Sequence, residues 1–128
     1  MDKTKEYMEW IKYAEKDLNA SEILFKTYPQ PIEIICFHCQ QSAEKYLKAY
    51  LIFNGIEFEK THNLLFINKI CEEIDGEFNE IARACSRLNP FSVVIRYPSN
   101  IELIEDDMKS ALTDANKIKD FVMTKINR

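Results

Sequence analysis

The sequence predicts an all-α protein, an up-and-down bundle of about five helices, three of them long and two short. Glycine and proline, which favour turns, occur only two and four times, so long helices are favoured over many short strands. Apolar residues make up 46% of the chain, enough for a core, and they recur at helical spacing. At this length we expect a single domain, residues 1–128.

The first helix is predicted over residues of about 4–27. Its apolar side chains follow one another at steps of three and four, and lysine and acidic side chains fill the other side. The segment Tyr28-Pro29-Gln30-Pro31 should end the helix, because a residue before proline avoids the α conformation. The apolar stripe consists of Tyr7, Ile11, Ala14, Leu18, Ser21, Phe25 and Tyr28, flanked by Trp10 and Leu24.

The central helix, residues 33–54, is predicted to have an apolar face and a polar face, and Gly55 should end it as a left-handed cap. Steps of three, four and three place four polar side chains on one side, with Glu44 beside them. We call these four the polar row: His38, Gln41, Lys45 and Lys48. The apolar face should build the core from Cys36, Cys39, Ala43, Tyr46, Leu47 and Tyr50, widened by Ile35, Ala49 and Phe53.

Two shorter helices are predicted next. The third, about 63–74, would begin at a cap supplied by Thr61 or Asn63, and the fourth, about 77–88, would end at Asn89-Pro90. Their inward positions carry apolar side chains at helical spacing. These are Leu64, Ile67, Ile70, Cys71 and Ile74 in the third helix, and Phe78, Ile81, Ala82, Cys85 and Leu88 in the fourth.

Residues 89–99 are predicted to be a loop, because the segment FSVVI has β propensity but no evident partner strand. The segment from Ser99 to Glu102 then fits a capping box. Acidic residues at 105–107 suit the start of a helix, which should run to about residue 126. Its predicted stripe is Ile101, Ile104, Met108, Ala111, Ala115, Ile118 and Val122.

Composition narrows the classes of function. The net charge is −4, whereas a general nucleic-acid binder is usually basic, so nucleic-acid binding would need a local basic patch. No run of about 18 apolar residues is present, and the N-terminus lacks an apolar secretory segment, so we expect a cytoplasmic protein without a membrane span. The Cys36-x-x-Cys39 pair has no second such pair to complete a zinc site. Buried free cysteines are therefore predicted, with no metal and no cofactor.

The polar row allows two interpretations. In the first, the lysines take phosphate groups while His38 and Gln41 contact a base or ribose. In the second, Glu44 and the lysines form a solvated face, and His38 and Gln41 form hydrogen bonds within a subunit interface.

Two further polar residues, outside the central helix, have similar alternatives. His62 could contact phosphate or act as an acid or base, or it could bond the backbone of its turn. Arg96 could hold a phosphate or carboxylate with two hydrogen bonds, or form a salt bridge with an acid such as Glu44.

Four segments together resemble the HEPN domain family, whose name stands for higher eukaryotes and prokaryotes nucleotide-binding. The run FHCQQSAEKYLKAYL, residues 37–51, is similar to the signature helix of that family. The run WIKYAEKDL, residues 10–18, is similar to its opening helix, THNL at 61–64 to its T-H-[DN]-L turn, and RYP at 96–98 to the segment before its last helix. The segments occur in the family's order and span nearly the whole chain.

The resemblance implies a helical bundle that usually forms a dimer. Small members often pair with a minimal nucleotidyltransferase, and many such pairs behave as toxin–antitoxin systems. Catalytic members cleave RNA with an arginine followed, after four to six residues, by a histidine. This chain departs from that motif, because both of its histidines precede all four of its arginines.

The sequence therefore favours a binding or regulatory protein over an enzyme. We expect a homodimer that is the partner of a minimal nucleotidyltransferase and contacts nucleotide or RNA through the polar row, His62 and Arg96. One alternative is a metal-independent ribonuclease with a non-standard catalytic set, such as His62 with Arg96, which would supply the base and the cation that cleavage requires. The other alternative is a protein that binds a free nucleotide.

Overall fold

The computed structural model describes residues 3–94 and 102–127, and it confirms the all-α class. The described residues contain no strand. They form six α-helices, and a 3₁₀ segment, Gly76–Ile81, precedes the fourth of them. The α-helices are α1 Lys3–Phe25, α2 Ile32–Phe53, α3 Leu64–Ile74, α4 Ala82–Leu88, α5 Phe91–Val94 and α6 Glu105–Ile126.

Helix α2 lies at the centre, with α1 and α6 making its most extensive contacts. Its predicted apolar face is confirmed, since every position except Phe53 is buried. The inward positions of α6 from Met108 to Val122 are buried against it. Burial of this apolar surface is the main force that holds the three long helices together. Tyr28, predicted at the end of the first stripe, is 93% exposed because α1 ends before it, at Phe25.

The end of α2 has the geometry that its glycine predicts. Gly55 adopts a φ of 73°, in the left-handed region. Its N–H donates to Ile52 O at 2.9 Å, and the N–H of Ile56 donates to Leu51 O at 2.9 Å. These two bonds satisfy carbonyls that the helix end would otherwise leave unpaired.

Replacing Gly55 with alanine is expected to lower the free energy of unfolding by about 1–2 kcal/mol, since an L-residue is strained at this φ. Gly76→Ala is the matched control, because no atom lies within 4 Å of the added Cβ. Chemical denaturation of both variants measures the difference. Equal losses would contradict the role assigned to Gly55.

The third helix begins as predicted, at Asn63. The Asn63 Oδ1 accepts from the N–H groups of Leu65 and Phe66, at 3.0 and 3.2 Å. The N–H of Leu64 donates instead to Asn89 Oδ1 at 2.9 Å, so this helix start is also held by the chain beyond α4. The sequence had suggested Thr61 as the other candidate for the cap.

The predicted fourth helix, 77–88, is divided, and its first part is the 3₁₀ segment. Phe78 and Ile81 are both buried and lie three residues apart. A 3₁₀ helix has three residues per turn, so it points both side chains inward. Asp75 caps this segment by accepting from the N–H of Glu77 at 3.0 Å.

The loop predicted over residues 89–99 is wrong for its first part, which forms α5. The N–H of Val93 donates to Pro90 O at 3.2 Å, and Ser92 is buried while Phe91 packs against the core. Packing of Phe91 and the turn that begins at Pro90 outweigh the β propensity of this segment, since no strand among the described residues pairs with it. The described residues therefore contain three short α-helices, α3, α4 and α5, where the sequence predicted two. The rest of the predicted loop, residues 95–99, lies outside the described residues.

Helix α6 begins later than predicted, at Glu105. The Ile104 N–H donates to Asp107 Oδ2 at 2.8 Å, so the acidic run caps the helix, as expected of these acids. Ile104 is consequently outside the helix and exposed. Most of the capping box predicted from Ser99, together with Ile101, lies outside the described residues.

Candidate functional site

The polar row of α2 lies along its contact with α1. Two buried serines fix how these antiparallel helices are aligned. The Ser21 hydroxyl donates to Ile35 O, and the Ser42 hydroxyl donates to Ala14 O, both at 2.9 Å. The carboxylate of Asp17, on α1, lies between these two contacts and faces the row.

Asp17 holds two members of the row. Its Oδ1 lies 2.9 Å from His38 Nδ1, and its Oδ2 accepts from the ammonium group of Lys45. A carboxylate can only accept hydrogen bonds, so the Nδ1 of His38 carries the proton and Nε2 remains for other contacts. Asp17 was not among the predicted site residues, although its position in the sequence is informative. It lies three residues after Ala14 and four before Ser21, on the buried stripe of α1.

A second carboxylate, Glu44, holds a lysine and a histidine. The Lys48 Nζ lies 2.9 Å from Oε2, and the His62 Nδ1 lies 2.9 Å from Oε1. The side chains of Glu44 and Lys48 are only 4% and 7% exposed, whereas that of His62 is 53% exposed. The interpretation of Glu44 and Lys48 as a solvated face is therefore wrong, because α1 and residues 54–63 cover them.

Two aromatic rings complete the surroundings of Lys48. Its Nζ lies 5.7 Å from the ring centre of Trp10 and 5.4 Å from that of Phe58. The rings meet edge to face, with centres 5.7 Å apart. The negative faces of aromatic rings attract an ammonium group, and this attraction increases as water is excluded.

The glutamines of α2 connect the row to His62. The Nε2 of Gln40 donates to the backbone oxygen of His62 at 3.0 Å, and the Nε2 of Gln41 donates to Gln40 Oε1 at 2.7 Å. His62 is thus held both by its ring and by its backbone. Gln40 is fully buried, and it was not among the residues that the sequence predicted for the site.

The structure brings five of the six predicted site residues into two adjoining networks, centred on Asp17 and Glu44. They are His38, Gln41, Lys45, Lys48 and His62. The two carboxylates balance the charges of the two lysines, so a phosphate group would have to compete with a carboxylate already in place. Arg96 lies outside the described residues, and its role stays a prediction. Within 3–94 and 102–127, no group of three or more His, Cys, Asp or Glu side chains could hold a metal ion.

The four cysteines are buried and free, as predicted. Burial raises the pKa of Cys36, Cys39 and Cys85 from an ordinary 9.0 to about 12, and it also raises the pKa of Cys71. A thiol reacts as its thiolate, so these groups are inert at neutral pH.

We expect a disulfide exchange reagent at pH 8 to label no cysteine in the folded protein and all four in denaturant. Because their pKa values are raised on folding, the thiols also contribute to the free energy of unfolding. This contribution is fully present below pH 9 and declines as the pH rises from about 9 toward 12. Denaturation midpoints across this range test the direction. Rapid labelling of the folded protein would contradict the burial of these thiols.

No helix among the described residues has the length and apolarity needed to cross a membrane. A family model described as HEPN domain matches residues 7–126. The chain is 30% identical, over 91% of its length and 88% of the relative's, to the protein named "Putative toxin MJ1304" from Methanocaldococcus jannaschii. Its fold is similar to the crystal structure of ST0689, described as an archaeal HEPN homologue. That likeness has a TM-score of 0.72 and 25% identity, and it covers 94% of this chain and 97% of the other. The match over nearly its whole length shows that the chain belongs to the HEPN domain family.

Proposed function

We propose that this protein is the HEPN component of a toxin–antitoxin-like pair and that it acts by binding a minimal nucleotidyltransferase. Its family and its similarity to a protein named as a toxin support this role. The absence of the family's Arg-x(4–6)-His motif from the sequence favours a binding component over a catalytic one.

The proposal that the row binds a protein rests on the pairing of its lysines with carboxylates. Lys48 and Glu44 form a buried pair, and Asp17 holds Lys45, so neither lysine is a free cation for a phosphate group. Removing a carboxylate from a buried pair leaves an uncompensated charge, which is costly. The accessible part of the row, which includes His38 and Lys45 at 30% and 25% exposure, therefore presents no unpaired lysine. Such a polar surface is better suited to contact with another protein, where it contributes specificity.

Co-purification from the source cells tests this proposal. We expect affinity-tagged protein to retain a small nucleotidyltransferase, identified by mass, in roughly stoichiometric amount. A row variant, Gln41→Glu, should reduce its recovery, while Lys69→Glu, exposed on α3, should not. Recovery of the protein alone would contradict the proposed pair.

We also propose that the protein works as a homodimer. Light scattering should then give about twice the monomer mass of 15.1 kDa. A single monomer mass at micromolar concentration would contradict this.

Two observations favour a second candidate, a metal-independent ribonuclease. Each histidine is oriented by a carboxylate through Nδ1, and His62 is half exposed, so that a substrate can reach it as a general base requires. This enzyme would cleave single-stranded RNA in the presence of a metal chelator, and His62→Gln would abolish cleavage. The same change in the other histidine–carboxylate pair, His38→Gln, shows which of the two pairs the reaction needs. Equal, background-level cleavage by all three proteins would exclude it.

Direct contact of the row with nucleotide or RNA is the remaining proposal. Titration calorimetry with ATP tests it, because a site that uses the lysines must lose its heat of binding in Lys45→Ala. Lys109→Ala is the control, since Lys109 is an exposed lysine on α6. The absence of binding heat in the wild-type protein would remove this proposal and leave partner binding intact.

A further inference from the structure

Helix α1 carries a second stripe of side chains beside the polar row. Glu6, Glu9, Trp10 and Tyr13 follow one another at helical spacing, on the side of the helix that borders Lys45. Together these five side chains line an open cavity of about 400 Å³. This volume lies within the range of ordinary ligand pockets.

The carboxylates of the cavity have no ion-pair partner in the described part of the chain, because none of the salt bridges there involves Glu6 or Glu9. The lysine in the wall does not compensate them, because the ammonium group of Lys45 is bound to Asp17. Within residues 3–94 and 102–127, the cavity therefore offers two carboxylates beside two aromatic rings, with no free cation among its walls.

The same two rings already attract ammonium groups of this chain. Lys48 lies over Trp10 at 5.7 Å, and Lys16 lies over Tyr13 at 4.9 Å. Neither lysine lines the cavity. An aromatic wall with carboxylates at its rim suits an aliphatic stem that ends in a positive charge, because the stem packs on the rings while the charge meets the carboxylates.

We propose that this cavity binds an arginine or lysine side chain presented by a partner polypeptide. Charge complementarity selects the occupant, since the carboxylates repel a phosphate or carboxylate ligand and attract a guanidinium or ammonium group. The site is separate from the partner proposed above and does not depend on it, because any polypeptide that presents a basic side chain would satisfy it.

Trp10 is the chain's only tryptophan, so its indole N–H gives one unambiguous NMR signal at the cavity. The probe is Nα-acetyl-arginine methylamide, titrated to tens of millimolar at constant ionic strength. Its matched control is the citrulline derivative, which has the same shape without the charge. We expect the arginine probe to shift the Trp10 signal in a saturable way and the citrulline probe to leave it nearly unmoved.

Variants assign the effect to the carboxylates. Glu6→Gln with Glu9→Gln should weaken binding of the arginine probe about tenfold, as expected for loss of two charged contacts. Glu73→Gln with Glu80→Gln, two exposed glutamates elsewhere, should leave it unchanged and so controls for net charge. Titration with spermidine tests whether the cation comes from a polypeptide or from a small polyamine. A much larger shift of the Trp10 signal with spermidine than with the arginine probe would overturn the polypeptide assignment. No shift in the wild-type protein, or equal shifts with citrulline, would overturn the site itself.

Discussion

Replacing Glu44 with alanine is expected to lower the free energy of unfolding by about 3–5 kcal/mol, the cost typical of breaking a buried ion pair. Within residues 3–94 and 102–127, its carboxylate is the only ion-pair partner of Lys48, and both side chains are almost fully buried. Without Glu44, the Lys48 ammonium keeps only the rings of Trp10 and Phe58. His62 loses its anchor at the same time.

Two further variants separate charge from packing at this position. Glu44→Gln keeps the shape and one acceptor, so it should cost less than the alanine variant. Glu44→Leu combined with Lys48→Met replaces both charges by apolar side chains of similar size and should recover most of the lost stability. Urea denaturation with circular dichroism measures all of them. A loss below about 1 kcal/mol in Glu44→Ala would mean that this pair behaves like an exposed one.

Replacing Phe78 with alanine is expected to cost about 3–5 kcal/mol, because it leaves a cavity where three elements meet. Phe78 is fully buried in the 3₁₀ segment. Its ring centre lies 4.4 Å from that of Tyr50 on α2 and 4.9 Å from that of Phe121 on α6. The variant therefore loses the free energy gained by burying the ring, and it also loses two aromatic contacts.

Phe66→Ala is the matched control for this prediction. Phe66 is the same residue type on α3 but is 47% exposed, so its removal should cost less than about 1 kcal/mol. Phe78→Leu fills most of the cavity and should fall between the two, which keeps the comparison measurable if Phe78→Ala does not fold. Equal effects of Phe66→Ala and Phe78→Ala would contradict the assignment of Phe78 to the core.

Much of the fold was predictable because helices are encoded locally. The stripes at steps of three and four located all three long helices to within a few residues, except at the start of α6. Gly55 and Asn63 predicted helix ends correctly, because a left-handed φ and a side-chain acceptor for unpaired N–H groups are required by the local backbone and not by tertiary packing. The burial of the cysteines followed from their place on the same stripes.

The predictions failed where packing between elements outweighs local preference. Phe91 packs against the core, and its segment forms the one-turn helix α5 despite its β propensity. Phe78 and Ile81 are buried because they lie in a 3₁₀ turn rather than in an α-helix. Neither outcome has a distinct pattern over so few residues, since a run of four to six apolar residues fits helix, strand or loop.

The site shows the same division. Spacing on α2 was sufficient to place His38, Gln41, Lys45 and Lys48 on one side of a helix, and the resemblance of four segments was sufficient to indicate the family. Helix α1 carries five carboxylates, and its sequence does not state which of them faces that row. The alignment of α1 against α2, held by Ser21 and Ser42, selects Asp17. It also leaves Glu6 and Glu9 beside an open cavity. Pairing of charges across helices is a long-range property, because it depends on how two packed surfaces align rather than on the periodicity of either one.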